Sequence, residues 1–273
     1  FQIVMPFDAQ WPSTLTLVDA AGHSLLTFDA GWSPLWLDET TFVYVRSLDN
    51  VGEFIVGQEP IQLVAVELIT ATAGLSATTE LSATTELSAT TELSATTTVL
   101  ATSRDFAAFL LDTDNPDYQS VGDDTFVNGL YRRPGFPQQF IISAIGLGEF
   151  GAYRQFYFVY EMATGELSLL FDSDSTSSTP PLLTGNGRFL STLSIDSANV
   201  TLYVHDLEEA KTTTYAASIA QYPLPVYDWS ADDQWLVMTE DRVLRFIAPA
   251  VNEERRVHNP PGCYTAVWVN KEK

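Results

Sequence analysis

The chain has 273 residues, of which 45% are hydrophobic, enough to bury a sizeable core in one large domain or two small ones. Asp and Glu number 35 against 13 Lys and Arg, a formal net charge of −22. A surface this acidic repels the phosphates of nucleic acids and anionic lipids, which excludes nucleic acid as a partner and favours basic partners. The single cysteine, Cys263, excludes an internal disulfide and a cysteine metal cluster.

No apolar run reaches the roughly 20 residues of a membrane helix, so no direct membrane insertion is expected. The chain begins with Phe1 and not with Met, which indicates a processed or excised piece whose signal or anchor was removed upstream. Together with the low Lys and Cys content, this predicts an extracytoplasmic protein: periplasmic, cell-surface or secreted.

Short runs of β-branched and aromatic residues, bounded by Gly, Pro, Asn and Asp, predict an all-β chain. Four segments align as an internal repeat, each an apolar strand, a polar turn and a strand of alternating polarity: residues 15–28, 156–171, 201–215 and 243–257. Gly22 and Gly165 supply the positive φ that the tight turns of the first two segments need.

A tryptophan element accompanies several of these hairpins. Its clearest copy runs from Trp229 to Leu236 as Trp-Ser-Ala-Asp-Asp-Gln-Trp-Leu, and Trp32-Ser-Pro begins another. These residues resemble the WD40-like repeats of TolB-type bacterial propellers, whose pattern reads Trp-Ser-Pro-Asp-Gly-x-x-Leu. Asp233 stands where that pattern has Gly. The resemblance implies a β-propeller built from four-stranded blades.

The spacing of the repeats predicts full units at about 30–125, 120–175, 180–218 and 225–259. The N-terminal residues 1–28 have later strands without a tryptophan element, and residues 263–270 begin a strand that lacks partners. Joined, the two termini complete a fifth blade, so we expect a single propeller domain over residues 1–273. Six blades are the alternative if residues 100–111 supply further strands.

Residues 71–99 form a low-complexity, Thr-rich insert around four copies of a six-residue repeat, Leu-Ser-Ala-Thr-Thr-Glu, the last of which ends in Thr. An even period keeps the same residues on each face of a strand, so a loop or a protruding hairpin is expected rather than a helix. The insert is interpreted as a duplication in a tolerant loop, as an O-glycosylated segment, or as a partner-binding arm. The partner-binding candidates are Leu75, Glu80, Leu81, Glu86, Leu87, Glu92 and Leu93.

Asp112, Asp114 and Asp117 are the candidate metal ligands, because alternating carboxylates are typical of calcium loops. The Gly and closing Glu of an EF-hand are missing and Pro116 occupies a ligand position, so a solvated acidic turn is the alternative. No other cofactor is expected. The glycine pattern of residues 146–151 leads into a strand and not a helix, which favours a hairpin loop over a dinucleotide site.

No catalytic residues are assigned. The histidines, His23, His205 and His258, lack metal-site spacing and are predicted to lie on the surface of hairpins. The sequence therefore predicts a non-enzymatic binding or scaffold propeller whose partners are other proteins. A carbohydrate-active or sugar-binding propeller using Asp38, Asp228 and the tryptophans is one alternative, with a small ligand in the central channel. A sensor or accessory domain of a larger chain is the other.

Overall fold

The computed structural model describes residues 1–4, 13–48, 61–72, 91–106, 125–147, 153–173, 180–196, 199–218, 227–240 and 243–258. The chain divides into two compact units, residues 1–126 and 127–273. Within the described residues, helix is limited to a turn at 103–106 and a 3₁₀ turn at Pro249–Val251. The all-β expectation is confirmed. None of the helices described here is both long and apolar enough to cross a membrane.

The first unit contains one antiparallel sheet, called sheet A, whose six strands are neighbours in chain order. The strands are β1 (Gln2–Val4), β2 (Ser13–Val18), β3 (Ser24–Trp36), β4 (Thr41–Ser47), β5 (Ile61–Thr72) and β6 (Thr91–Thr102).

Strand β3 belongs to two parts of sheet A. Residues 24–31 pair with β2, whereas residues 31–36 pair with β4. The change of partner occurs at Gly31, where a Cβ would collide with the carbonyl oxygen of Val45 and the ring of Tyr44. The register then shifts between Trp32 and Leu35, and Ser33 has a φ of 50°. Sheet A is therefore a three-stranded part and a four-stranded part joined by one continuous strand.

The two parts of sheet A share one hydrophobic core. Leu15 and Leu17 of β2 are fully buried in the same cluster as Phe42 and Tyr44 of β4. The rings of Phe28 and Phe42 meet edge to face, with centroids 5.3 Å apart. Such ring pairs add to the free energy gained by burying apolar surface, so the two parts pack against each other and fold as one unit.

The end of the hexapeptide repeat lies in β6. Residues 62–67 of β5 pair with both β4 and β6, but residues 68–72 pair only with β6, ending at Thr72 opposite Thr91. Leu93 and Ala95 are partly buried against the core of sheet A, while the intervening Ser94 is exposed. Residues 93–95, in the last copy of the repeat, thus alternate between the core and the surface, as side chains of a strand do.

The second unit contains three four-stranded antiparallel sheets, each a meander in chain order. Sheet B comprises β7 (Thr125–Arg132), β8 (Gln139–Leu147), β9 (Tyr153–Glu161) and β10 (Glu166–Ser173). Sheet C comprises β11 (Leu182–Leu183), β12 (Phe189–Asp196), β13 (Asn199–Asp206) and β14 (Lys211–Ser218). Sheet D comprises β15 (Tyr227–Trp229), β16 (Leu236–Glu240), β17 (Val243–Ala248) and β18 (Glu253–His258). These sheets coincide with the predicted units at 120–175, 180–218 and 225–259.

Sheets B, C and D pack in succession through shared cores. Tyr157 and Phe171 of sheet B cluster with Leu190 of sheet C. On the other side of sheet C, Phe189 stacks on Trp229 of sheet D with ring centroids 5.6 Å apart. The indole Nε1 of Trp229 also donates to Ser191 Oγ at 2.9 Å. The tryptophan that opens the repeat motif therefore anchors its own sheet to the preceding one.

Replacing Gly31 should weaken the first unit, because the added Cβ of Gly31→Ala collides with backbone and ring atoms at the junction of the two parts. We expect a loss of about 3 kcal/mol in the free energy of unfolding, measured by urea denaturation with Trp fluorescence. Gly22→Ala is the control, because its Cβ would meet nothing within 4 Å and only its φ of 86° is unfavourable. Gly22→Ala should lower the free energy of unfolding by about 1 kcal/mol. Equal losses would contradict the steric role of Gly31.

Candidate functional site

Most of the residues predicted to bind a metal or a partner lie outside the described ranges, namely Asp112, Asp114, Asp117, Leu75, Glu80, Leu81, Glu86 and Leu87. Glu92 belongs to β6, and Leu93 packs against the core of sheet A. The calcium site and the binding arm remain predictions. Within the described residues, no group of three or more His, Cys, Asp or Glu side chains is placed to hold a metal ion.

The surface prediction is wrong for His205, although His23 and His258 are exposed. Only 3% of His205 is exposed, because one face of β13 packs against sheet B and the imidazole stacks on Phe171. Its Nδ1 lies 2.7 Å from Thr212 Oγ1, and its Nε2 has no hydrogen-bond partner among the described residues. Burial lowers the pKa of His205 to about 3, so the imidazole is neutral at pH 7.

Asp38 and Asp228, the acids named above for a carbohydrate-active propeller, accept hydrogen bonds from backbone N–H groups close to them in the chain. Asp38 Oδ1 accepts from the N–H groups of Thr40 and Thr41, both at 2.7 Å, in the turn between β3 and β4. Asp228 Oδ1 accepts from the N–H of Trp229 at 2.9 Å. A cavity of about 460 Å³ next to Asp38 is lined by Phe1, Trp36 and Glu39.

In the second unit, the first turn of sheet B contacts the first turn of sheet C. Arg133, which is buried, donates from Nε to the carbonyl oxygen of Gly187 at 3.0 Å and from a terminal nitrogen to Gln139 at 2.6 Å. Gly187 has a φ of 69°, and a Cβ there would collide with the carbonyl oxygen of Pro134. Glycine is therefore required at this position by both its backbone conformation and its surroundings.

The first turn of sheet D contacts the same turn of sheet C through Asp233. Its Oδ1 accepts from the N–H of Gly185 at 2.7 Å, and its Oδ2 accepts from the N–H of Asn186 at 2.8 Å. Asp233 has a left-handed φ of 58°, a backbone conformation that Gly, the residue at this place in the pattern that the motif resembles, adopts without strain. The left-handed backbone costs roughly 1 kcal/mol, and two charge-assisted hydrogen bonds of about 1.5–3 kcal/mol each exceed that cost.

A groove of about 530 Å³ lies between these turns of sheets C and D, and we call it the C–D groove. Its lining residues are Asn186, Arg188, Phe189, Asp232, Asp233, Gln234, Trp235, Ala248, Ala250, Val251 and Glu253. Asp233 fixes the position of one wall relative to the other. The two turns are therefore held together by hydrogen bonds from the backbone of sheet C to the Asp233 side chain of sheet D.

The charged groups of the C–D groove are predominantly acidic. Hydrogen bonds from the Ser230 hydroxyl at 2.6 Å and the Gln234 N–H at 3.2 Å hold the pKa of Asp232 below its usual value. Asp232 is therefore ionised, and both bonds use Oδ1. Arg188, the guanidinium in the lining, binds Asp206 at 2.6 Å and lies 3.4 Å from Glu208. Its charge is already matched by carboxylates outside the groove.

Trp235 provides an aromatic surface in the C–D groove. Trp235 is only half-buried, whereas Trp229 is buried in the core that sheets C and D share. The guanidinium carbon of Arg255 lies 4.9 Å from the centre of its ring, and Arg255 Nε donates to Glu253 at 2.7 Å. The Gln-Trp pair that follows Asp233 was visible in the sequence, but nothing in the sequence shows that turns of two sheets surround it.

Comparison with known proteins gives neither a matching family model nor a matching curated protein. Among solved structures, the chain is similar to an oligogalacturonate lyase in complex with manganese, at 13% identity and a TM-score of 0.48 over 93% of this chain and 61% of that one. It is also similar to the Dos1 propeller, at 10% identity and a TM-score of 0.47 over 90% and 53%. A third is Sqt1 from Chaetomium thermophilum, at 11% identity and a TM-score of 0.44 over 87% and 52%.

The chain thus spans between about half and three fifths of the length of these structures.

Two substitutions of Asp233 should separate the stabilisation by its hydrogen bonds from the cost of its left-handed backbone. We expect Asp233→Ala to lose about 3 kcal/mol of the free energy of unfolding, because two N–H groups lose their acceptors while the left-handed backbone remains. Asp233→Gly loses the same bonds but relieves the backbone, so it should be about 1 kcal/mol more stable than Asp233→Ala. Urea denaturation measures both. An Ala variant as stable as wild type would contradict the proposed contact between the turns.

The buried imidazole should make stability depend on pH. The unfolded chain binds a proton at His205 below pH 6.5, but the folded chain does so only near pH 3, so stability is lost as the pH falls through this window. Between pH 7.5 and pH 5 the loss should be about 2 kcal/mol. His205→Phe should remove this pH dependence in urea denaturation. His258→Gln, which changes an exposed histidine, should keep it; equal pH dependence in all three proteins would contradict the assignment.

Proposed function

We propose that the chain is a non-enzymatic β-propeller that binds another protein as a scaffold in an extracytoplasmic or cell-surface assembly. Sheets B, C and D each form one blade, and the four-stranded part of sheet A forms another. The proposal includes a fifth blade made by the three-stranded part of sheet A and residues 263–270, and the latter lie outside the described residues. The packing of successive sheets through shared cores supports this arrangement, as does the change of partner within β3.

The C–D groove is the proposed binding site. The observation that carries this proposal is the pair of hydrogen bonds from Gly185 and Asn186 to Asp233, which fixes the two walls of the groove relative to each other. A site with fixed walls loses little conformational entropy when a partner binds. Trp235 and the 70% exposed Val251 offer apolar surface for contact, and the surrounding polar side chains form a rim.

A photo-crosslinking residue at Gln234, which is exposed in the groove, should trap one dominant protein partner in cells that make the chain. The adduct is identified by mass spectrometry, and binding is then measured with the purified partner. Ala250→Trp should abolish the adduct, because a large side chain fills the groove whatever the charge of the ligand. Val257→Trp is the matched control, since Val257 is exposed outside the groove. An adduct that survives Ala250→Trp would overturn the proposal.

Sugar binding is the second candidate function, and the same groove supports it. The ring of Trp235 stands with the side-chain amides of Asn186 and Gln234 in the lining. A flat aromatic surface with amide donors and acceptors suits the apolar faces and hydroxyl groups of a carbohydrate. Glycan binding that is lost in Ala250→Trp and retained in Val257→Trp would favour this function over protein binding.

A further inference from the structure

Trp235, which lines the C–D groove, already accommodates one guanidinium on its ring, that of Arg255, which is not itself among the lining residues. This group lies over the ring of Trp235 and is held by Glu253, in the arrangement that aromatic rings and carboxylates offer to cations. The side chain of Arg255 is 65% exposed. An exposed ion pair is worth at most about 1 kcal/mol, so a competing cation can displace it.

The charge around the groove is unbalanced in favour of a cationic ligand. Asp232, Asp233 and Glu253 line the groove, whereas the guanidinium of Arg188 is engaged by Asp206 and Glu208. Asp232 is ionised, and its Oδ2 has no partner among the described residues. The net charge of −22 on the whole chain also attracts basic partners from a distance.

We propose that the C–D groove binds an arginine or lysine side chain from a basic segment of the partner protein. The cation lies against Trp235, where it takes the place of Arg255, and pairs with Asp232 and Glu253. This inference rests on the proposed protein-binding function and names the chemistry of the partner. The excess of carboxylates favours a cation over a neutral sugar, because a sugar can accept hydrogen bonds and donate them to carboxylates but carries no charge that balances theirs. A metal ion is a poorer occupant, because the described carboxylates are not clustered for coordination.

The probe is a capped, unstructured Gly-Ser peptide with two arginines, titrated against the full chain by fluorescence anisotropy at low salt. A peptide with citrulline at both positions is the neutral isostere. We expect the arginine peptide to bind and the citrulline peptide to bind at least about fivefold more weakly. Binding should weaken as salt is added. Equal affinity for the two peptides would overturn the proposal.

Three variants locate the interaction. Asp232→Asn should weaken binding about fivefold, and Glu209→Gln, which removes the same charge from an exposed residue outside the groove, should leave binding unchanged. Arg255→Gln should strengthen binding about threefold, because the internal competitor for Trp235 is gone. Equal weakening by Asp232→Asn and Glu209→Gln would show only nonspecific attraction and overturn the proposal. An Arg255→Gln variant that binds the arginine peptide no more tightly than wild type would also overturn the proposal.

The experiments can contradict the proposed protein-binding function and the proposed binding of a cationic side chain independently of each other. If the adduct at Gln234 is lost in Ala250→Trp but the arginine peptide does not bind, the groove binds a protein through other chemistry and only this inference is wrong. If the Gln234 adduct survives Ala250→Trp, the proposed protein-binding function is wrong, whatever the peptide does.

Discussion

Contacts between the first turns of successive sheets organise the second unit. Each sheet is a simple meander, and apolar packing alone fixes the distance between meanders better than it fixes their alignment. Arg133 at Gly187 and Asp233 at Gly185 and Asn186 supply directional bonds between sheets B and C and between sheets C and D. The shape of the C–D groove depends on this alignment, because the first turns of sheets C and D line it together with the last turn of sheet D.

Asp233 differs from the glycine of the pattern that its motif resembles, and its side chain makes a contact that glycine could not make. Glycine would adopt the left-handed backbone without strain but would leave the N–H groups of Gly185 and Asn186 without that acceptor. Aspartate tolerates this conformation better than most residues, and its carboxylate reaches the neighbouring turn. The same turn also carries Asp232 and Trp235, so the structural contact and the proposed binding surface are parts of one short segment.

Much of the fold could be predicted from the sequence, because meander sheets leave local signals. Alternating polarity and the spacing of turns located sheets B, C and D. The role of His205 could not be predicted, because alternation does not show that a second sheet covers the other face of β13. The C–D groove was missed for a similar reason: it forms from turns that lie more than 40 residues apart in sequence. The resemblance marked Asp233 as unusual but gave no partner for it.

Strand β3 has a mechanical consequence for the first unit. A tension applied along the chain at residue 24 passes through an unbroken strand from the three-stranded part into the four-stranded part. It loads the hydrogen bonds to β2 and β4 in shear, many at once, instead of opening them one after another. The first unit therefore transmits load between its two parts through this strand and not through a weak linker.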